Sequence, residues 1–212
     1  MKNLLLILFG CFAFGQNFDS QSFNSQFNTN LDVLQREVAR QYTPKDVAYY
    51  GNKYYYEEPQ PAFLELFDAE KPLKVLTNYN LIDETFELQT DWKPLSISTD
   101  KVSRVRFKDD TFISLNGKFY KLLYNSEKDF KLLADTYLKF VRVDPTFKRT
   151  SEYYIYIGER LVVYERSKGF VSKMFGNNSK KIKSQMKIFK IKPKNPSQLG
   201  SLIEKFYEDL DI

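Results

Sequence analysis

The chain has 212 residues, 28% of them charged and 17% aromatic, with 15 Tyr, 19 Phe, one Trp, one Cys and a formal net charge of +5. This is the composition of a folded, aromatic-rich β protein, and it does not fit a disordered chain. Histidine is absent, which excludes Ser-His-Asp triads, Cys-His pairs and His-ligated metal sites and leaves acid–base chemistry to carboxylates, Lys or Tyr.

At the start, Lys2 precedes an apolar run from Leu4 to Phe12, and Ala13 and Gly15 place small residues where a leader is cleaved. Residues 1–15 therefore read as a signal peptide. The run is too short for a hydrocarbon core of about 30 Å. Leu8-Phe9-Gly10-Cys11 also resembles a lipoprotein box, but the apolar run continues past Cys11 to Phe14, which favours release over lipidation. Cleavage before Gln16 leaves a chain with neither Cys nor His, with no disulfide or thiol chemistry.

Residues 16–30, rich in Gln, Asn and Ser with spaced Phe, read as a flexible N-terminal segment. Asp32 to Gln41 has a loose helical pattern, stopped before Pro44. From Val47 to Glu165 the dominant period is two, as where Arg104, Arg106 and Lys108 alternate with Val105 and Phe107. Asn116-Gly117 predicts a type I′ hairpin between Thr111–Leu115 and Lys118–Tyr124, and Gly158-Glu159 a second between Tyr153–Ile157 and Arg160–Glu165. Leu73–Tyr79 and Thr85–Gln89 form a third, through Asn80–Glu84. A fourth is expected from Phe130–Leu133 and Tyr137–Val143. The expected fold is mainly β, an antiparallel meander over residues 31–165 curled into a barrel or sandwich, with a short N-terminal helix and two or three C-terminal helices.

Those helices occupy residues 166–212, an appendage packed on the β body. Gly169–Phe175 makes an amphipathic turn, and Asn178 or Ser179 caps a helix with Ile182 and Met186 on one face. After the break at Lys192–Pro196, Asn195 caps a last helix with Pro196 at its first position and Leu199, Leu202, Ile203, Phe206 and Leu210 as its apolar stripe.

Charge is segregated along the chain. Residues 166–194 carry ten basic side chains and no acid, whereas residues 16–165 hold 20 basic and 23 acidic ones. Such a segment attracts anionic surfaces. Export and the lack of interleaved aromatics argue against nucleic acid, leaving an acidic protein partner or an anionic membrane surface as the expected contact, centred on Lys180, Lys181, Lys183 and Lys187. A solvated helix face whose lysine stems cover apolar neighbours is the plainer reading. Tyr49, Tyr54, Tyr56 and Trp92 are the alternative site, an exposed aromatic platform for a glycan or peptide; in a β protein such runs more often pack as core. The adjacent acids Asp109-Asp110 and Glu57-Glu58 point to opposite faces of a strand, the wrong geometry for a catalytic pair. No phosphate-binding glycine loop and no run of alternating acids appears, so no cofactor, nucleotide or metal is expected.

Gly51-Asn52-Lys53-Tyr54, the stretch Asn78 to Leu88, and the end of the chain from Lys180 to Tyr207 with its Lys-Ile-Lys-Pro break together resemble an uncharacterised family of exported, outer-membrane-associated proteins of Bacteroidota. The leader is similar to signal peptides of that group. The resemblance implies a periplasmic or outer-membrane address and assigns no catalytic residues. The expected function is non-catalytic protein–protein contact, as an accessory subunit of an envelope or secretion (type IX-like) complex.

Overall fold

The computed structural model describes residues 39–41, 52–90, 93–141 and 146–211. Among these, eleven strands form one antiparallel sheet: β1 (Ala39–Gln41), β2 (Gln60–Leu66), β3 (Leu73–Asn80), β4 (Thr85–Leu88), β5 (Leu95–Ile97), β6 (Val102–Arg106), β7 (Thr111–Leu115), β8 (Lys118–Asn125), β9 (Phe130–Val141), β10 (Thr146–Ile157) and β11 (Arg160–Val163). Helices α1 (Lys168–Lys173), α2 (Ser179–Ile188) and α3 (Pro196–Lys205) follow. The class is the expected one, mainly β and antiparallel with C-terminal helices. The leader, residues 16–30, Tyr49 and Trp92 lie outside the described residues. Of the helix expected over Asp32–Gln41, the described part is instead strand β1, paired with Leu95–Ile97. Pairing with a sheet edge overrides a weak local helical pattern.

Spatial order runs β1-β5-β4-β3-β2-β6-β7-β8-β9-β10-β11. Two meanders are thus joined by the passage from β5 to β6, although three strands lie between them. The joining turn is tight: the amides of Lys101 and Val102 both donate to the Ser98 carbonyl, at 3.3 Å. Since neighbouring strands sit about 4.8 Å apart, a flat sheet would hold these strand ends roughly 19 Å apart. The sheet must therefore roll until β5 approaches β6. It does not close into a barrel, but the tip of the β3–β4 hairpin reaches β9, where the Leu138 amide donates to the Leu81 carbonyl at 3.1 Å.

The rolled half encloses an aromatic core. Tyr79, Phe86, Phe112 and Phe119 are all but fully buried, and Phe86 meets Phe112 and Phe119 edge-on at 5.1 and 5.0 Å between centroids. Alternation does the sorting: Val105 faces this core while Arg104 and Arg106 reach across to Glu65 at 3.2 and 2.8 Å. In the second half, β10 sends Tyr153, Ile155 and Ile157 to the face covered by the helices, and Tyr154 and Tyr156 to the other.

Both hairpin turns form, with the positive φ of a type I′ turn, 51° and 77° at Asn116 and Gly117 and 51° and 61° at Gly158 and Glu159. The β3–β4 turn is built by Asn80, whose Oδ1 accepts from the amides of Ile82 and Asp83 at 2.9 and 3.2 Å. The fourth hairpin does not exist as expected: Phe130–Val141 is one unbroken strand paired along its length with β10. Asp135, between the two expected strands, is nearly buried and held by Lys118 Nζ at 2.6 Å, so the chain does not bend there.

Candidate functional site

The helical layer rests on β9 and β10 through Phe130, Leu132 and Ile155, which meet Val171, Phe175, Ile182, Met186, Leu199 and Ile203 in one buried cluster, with Leu123 and Tyr124 of β8 packed against it. Helix α1 is capped by Ser167, whose Oγ accepts from the Phe170 amide at 3.1 Å. Helix α3 starts as expected, with the Asn195 Oδ1 accepting from the Gln198 amide at 3.2 Å and Pro196 in the first turn. Helix α2 departs from expectation. Asn178 stands at its N-cap, but the side-chain amide donates to Asp209 Oδ1 at 3.2 Å and caps nothing.

Gly200 lets α3 approach the sheet. A Cβ there would lie 2.3 Å from Cγ of Tyr124 on β8. Glu204, one turn further, accepts from Tyr124 Oη at 2.6 Å, Ser126 Oγ at 2.5 Å and the Glu127 amide at 3.1 Å. The bonds from Ser126 and Tyr124 hold its carboxyl below the usual range.

This docking decides which lysines face water. Ile182 and Met186 point into the cluster, which turns Lys180, Lys183 and Lys187 outward, three and four residues apart and so on one side of α2. All three are exposed and form no ion pair among the described residues. Lys181 is different: its Nζ donates to Asp209 Oδ2 at 2.9 Å and lies 5.0 Å from the Phe206 ring centroid. Three of the four expected lysines are therefore exposed and unpaired among the described residues, and the fourth ties α2 to the residues after α3.

On the other side of α2 from these lysines, between its C-terminal end and α3, lies a groove of about 400 Å³ floored by Phe189, Ile191, Leu202 and Phe206. Ile188 and Phe189, at 63% and 59% exposure, are two of the four large apolar side chains left open to solvent among the described residues. The sequence reading missed this groove. Its readable signal was Phe189, which continues the stripe of Ile182 and Met186 at i+7 past the end of the helix. The helix stops there because Lys190 adopts φ of 50° and the Ile191 amide donates to the Met186 carbonyl at 2.9 Å, a Schellman-type end.

The tyrosine segment is organised differently. Tyr54 Oη donates to the buried Glu87 at 2.8 Å, and Glu87 also accepts from Asn80 Nδ2 at 2.7 Å. Buried Asn78 takes the Tyr56 amide on Oδ1 at 3.1 Å and gives Nδ2 to the Tyr56 carbonyl at 3.0 Å. The Tyr55 amide donates to Tyr79 O, and the Leu81 amide to Lys53 O, both at 2.8 Å. Residues 53–56 and 78–87 are thus bonded to each other. Tyr55 and Tyr56 pack on Phe112 and Phe107, with centroids 5.5 and 4.9 Å apart. Tyr56 Oη donates to Asp110 Oδ2 at 2.9 Å, and burial followed by that bond raises its pKa. Lys121 Nζ completes the network on Asp110 Oδ1 at 2.6 Å and on Tyr55 Oη at 2.9 Å. Tyr54 and Tyr56 are half-buried, with their hydroxyls engaged inside the fold. Asp110 faces Lys121 and Tyr56 on both oxygens. A cavity of about 330 Å³ beside Tyr56 is lined by Pro61, Phe107 and Asp109 among others.

No group of three or more His, Cys, Asp or Glu is placed to hold a metal ion among the described residues, and no described helix is long and apolar enough to cross a membrane. Comparison with protein-family models, curated proteins and solved structures gave no match.

Proposed function

We propose that this chain is an exported, non-catalytic protein of the periplasm or outer membrane that acts by contact with an acidic protein partner, as an accessory subunit of an envelope or secretion complex of the type IX kind. The observation that carries the reading is the outward face of α2, where Lys180, Lys183 and Lys187 are exposed and lack ion-pair partners among the described residues. A basic face of this kind speeds and orients encounter with an acidic surface. A glycan- or peptide-binding role for Tyr54 and Tyr56 has less support, because both hydroxyls are bonded within the fold.

The test is a pull-down from detergent-solubilised envelope extract at low and high salt, with the chain and with its Lys180→Gln, Lys183→Gln, Lys187→Gln triple variant. Lys181 is left in place because it bonds Asp209. At about 0.2–1 kcal/mol for each exposed pair, the variant should bind its partner roughly 3- to 160-fold more weakly, and salt should weaken the parent in the same way. A partner retained equally by both proteins at both salt concentrations overturns the charge mechanism. Retention on anionic vesicles alone would reassign the basic face to a membrane surface.

A further inference from the structure

We propose that the α2–α3 groove takes the apolar side of an acidic amphipathic helix, so that the partner is recognised by shape as well as by charge. This rests on the basic-face reading above and adds a second, separable requirement. Phe189, Ile191, Leu202 and Phe206 form an apolar floor, and no acid is among the groove's lining residues. Lys205 stands over it, with Nζ 5.2 Å from the Phe189 centroid and 5.6 Å from the Phe206 centroid. The nearby acids are already satisfied: Asp209 by Lys181 and Asn178, Glu204 by Tyr124 and Ser126. The rim field is therefore positive, and an apolar floor under a positive rim is complementary to an acidic segment with apolar anchors.

Backbone chemistry selects a helix over an extended segment. An added strand needs the unpaired amides and carbonyls of a sheet edge, whereas two flanking helices bond their own backbones and offer only side chains. The lining follows α3 from Ser197 to Phe206 and meets α2 at Gln185 and Phe189, so the groove runs for roughly 14 Å along α3 at 1.5 Å per residue. That length suits about three helical turns, with anchors at i, i+4 and i+7. The volume, about 400 Å³, falls within the range of about 300–1,000 Å³ found for ligand pockets.

The experiment uses the full chain and two fluorescent helical peptides of about twelve residues. Both carry Glu on one side; one has Leu and the other Ala at the three anchor positions. Fluorescence anisotropy should show the Leu peptide binding at least about tenfold more tightly. Ser201→Trp, at an exposed residue lining the groove, should bring the Leu peptide to the affinity of the Ala peptide and leave the Ala peptide unchanged. Phe189→Ser, which removes part of the floor at an exposed position, should do the same. Lys205→Gln, which removes the charge over the floor, should weaken both peptides.

Equal binding of the two peptides, or Leu-peptide binding that Ser201→Trp and Phe189→Ser leave unchanged, overturns the groove while the envelope pull-down still decides the basic face. Failure of both peptides also overturns the groove. A dimer in sedimentation that Ser201→Trp dissociates would give the groove to a second copy of this chain. Vesicle binding that Ser201→Trp abolishes would give it to a lipid surface. Either result replaces the proposed occupant.

Discussion

Lys118 shows how much a single residue supports. Its Nζ bridges Asp135 at 2.6 Å and Glu84 at 2.5 Å, joining β8, β9 and the tip of the β3–β4 hairpin. Burial lowers its pKa, but the bonds to Asp135 and Glu84 outweigh burial and the net shift is upward. Burial raises the carboxyl of Asp135 above its ordinary 3.8, and Lys118 offsets that only in part. Lys118→Met strands the buried Asp135 charge, and because Lys118 is 28% exposed the cost should fall below the buried-pair range, at about 2 kcal/mol. The sign of its pH dependence follows. A folded-state carboxyl pKa above the unfolded one penalises the ionised form, so the loss is full at neutral pH and shrinks as pH falls through the folded value. Urea denaturation of parent and variant at about pH 7 and about pH 4 should show the gap closing; an equal gap at both would refute this account. Lys190 offers the opposite experiment. It ends α2 at φ of 50°, a conformation that costs a non-glycine residue about 1–2 kcal/mol. Lys190→Gly should therefore stabilise the chain by about 0.5–1 kcal/mol after glycine's own entropy cost, seen as a raised urea midpoint with unchanged slope.

Among the elements, those with purely local causes were legible before the structure. Asn116-Gly117 and Gly158-Glu159 needed only their own φ values to turn, and Asn195-Pro196 needed only its own cap to start α3. The misreadings share a different cause. A turn was expected between Leu133 and Tyr137, but Lys118, seventeen residues before Asp135, binds its carboxylate and β9 runs straight through. Asn178 looked like a cap until Asp209 took its side chain. Ala39–Gln41 reads as helix locally and is strand because β5 offers an edge. Helix α3 is the element most exposed to a packing test. Gly200→Ala places a methyl carbon inside the Tyr124 ring, which Glu204 fixes in place. Overpacking of about 1–3 kcal/mol exceeds the roughly 1 kcal/mol that alanine returns as helix propensity. A net loss of up to about 2 kcal/mol in denaturant unfolding is expected, and a stabilised variant would mean that α3 does not rest on that ring.

At the scale of the molecule, the fold divides its labour between a rolled aromatic half and a sheet half carrying helices, and the lysines are on the second. Since Lys180, Lys183 and Lys187 pair with nothing among the described residues, their conversion to Gln should leave stability within about 0.5 kcal/mol of the parent. Unfolding in urea checks this, and a larger loss would mean that these lysines serve the fold and cannot report on a partner. The run of ten basic residues without an acid was plain in the chain, as was the alternation that made the body β. Charge and period are properties of residue order, so the sequence by itself determined the class of fold and the presence of a basic segment. Which lysines are exposed and unpaired, which is spent on Asp209, and that an apolar groove opens on the other side of α2 were decided only in three dimensions. The roll that brings β5 to β6, the seating of Gly200 on Tyr124 and the pairing of Asp209 with Lys181 all join residues distant in the chain. Such contacts depend on how finished elements pack, and no window of local sequence contains both partners.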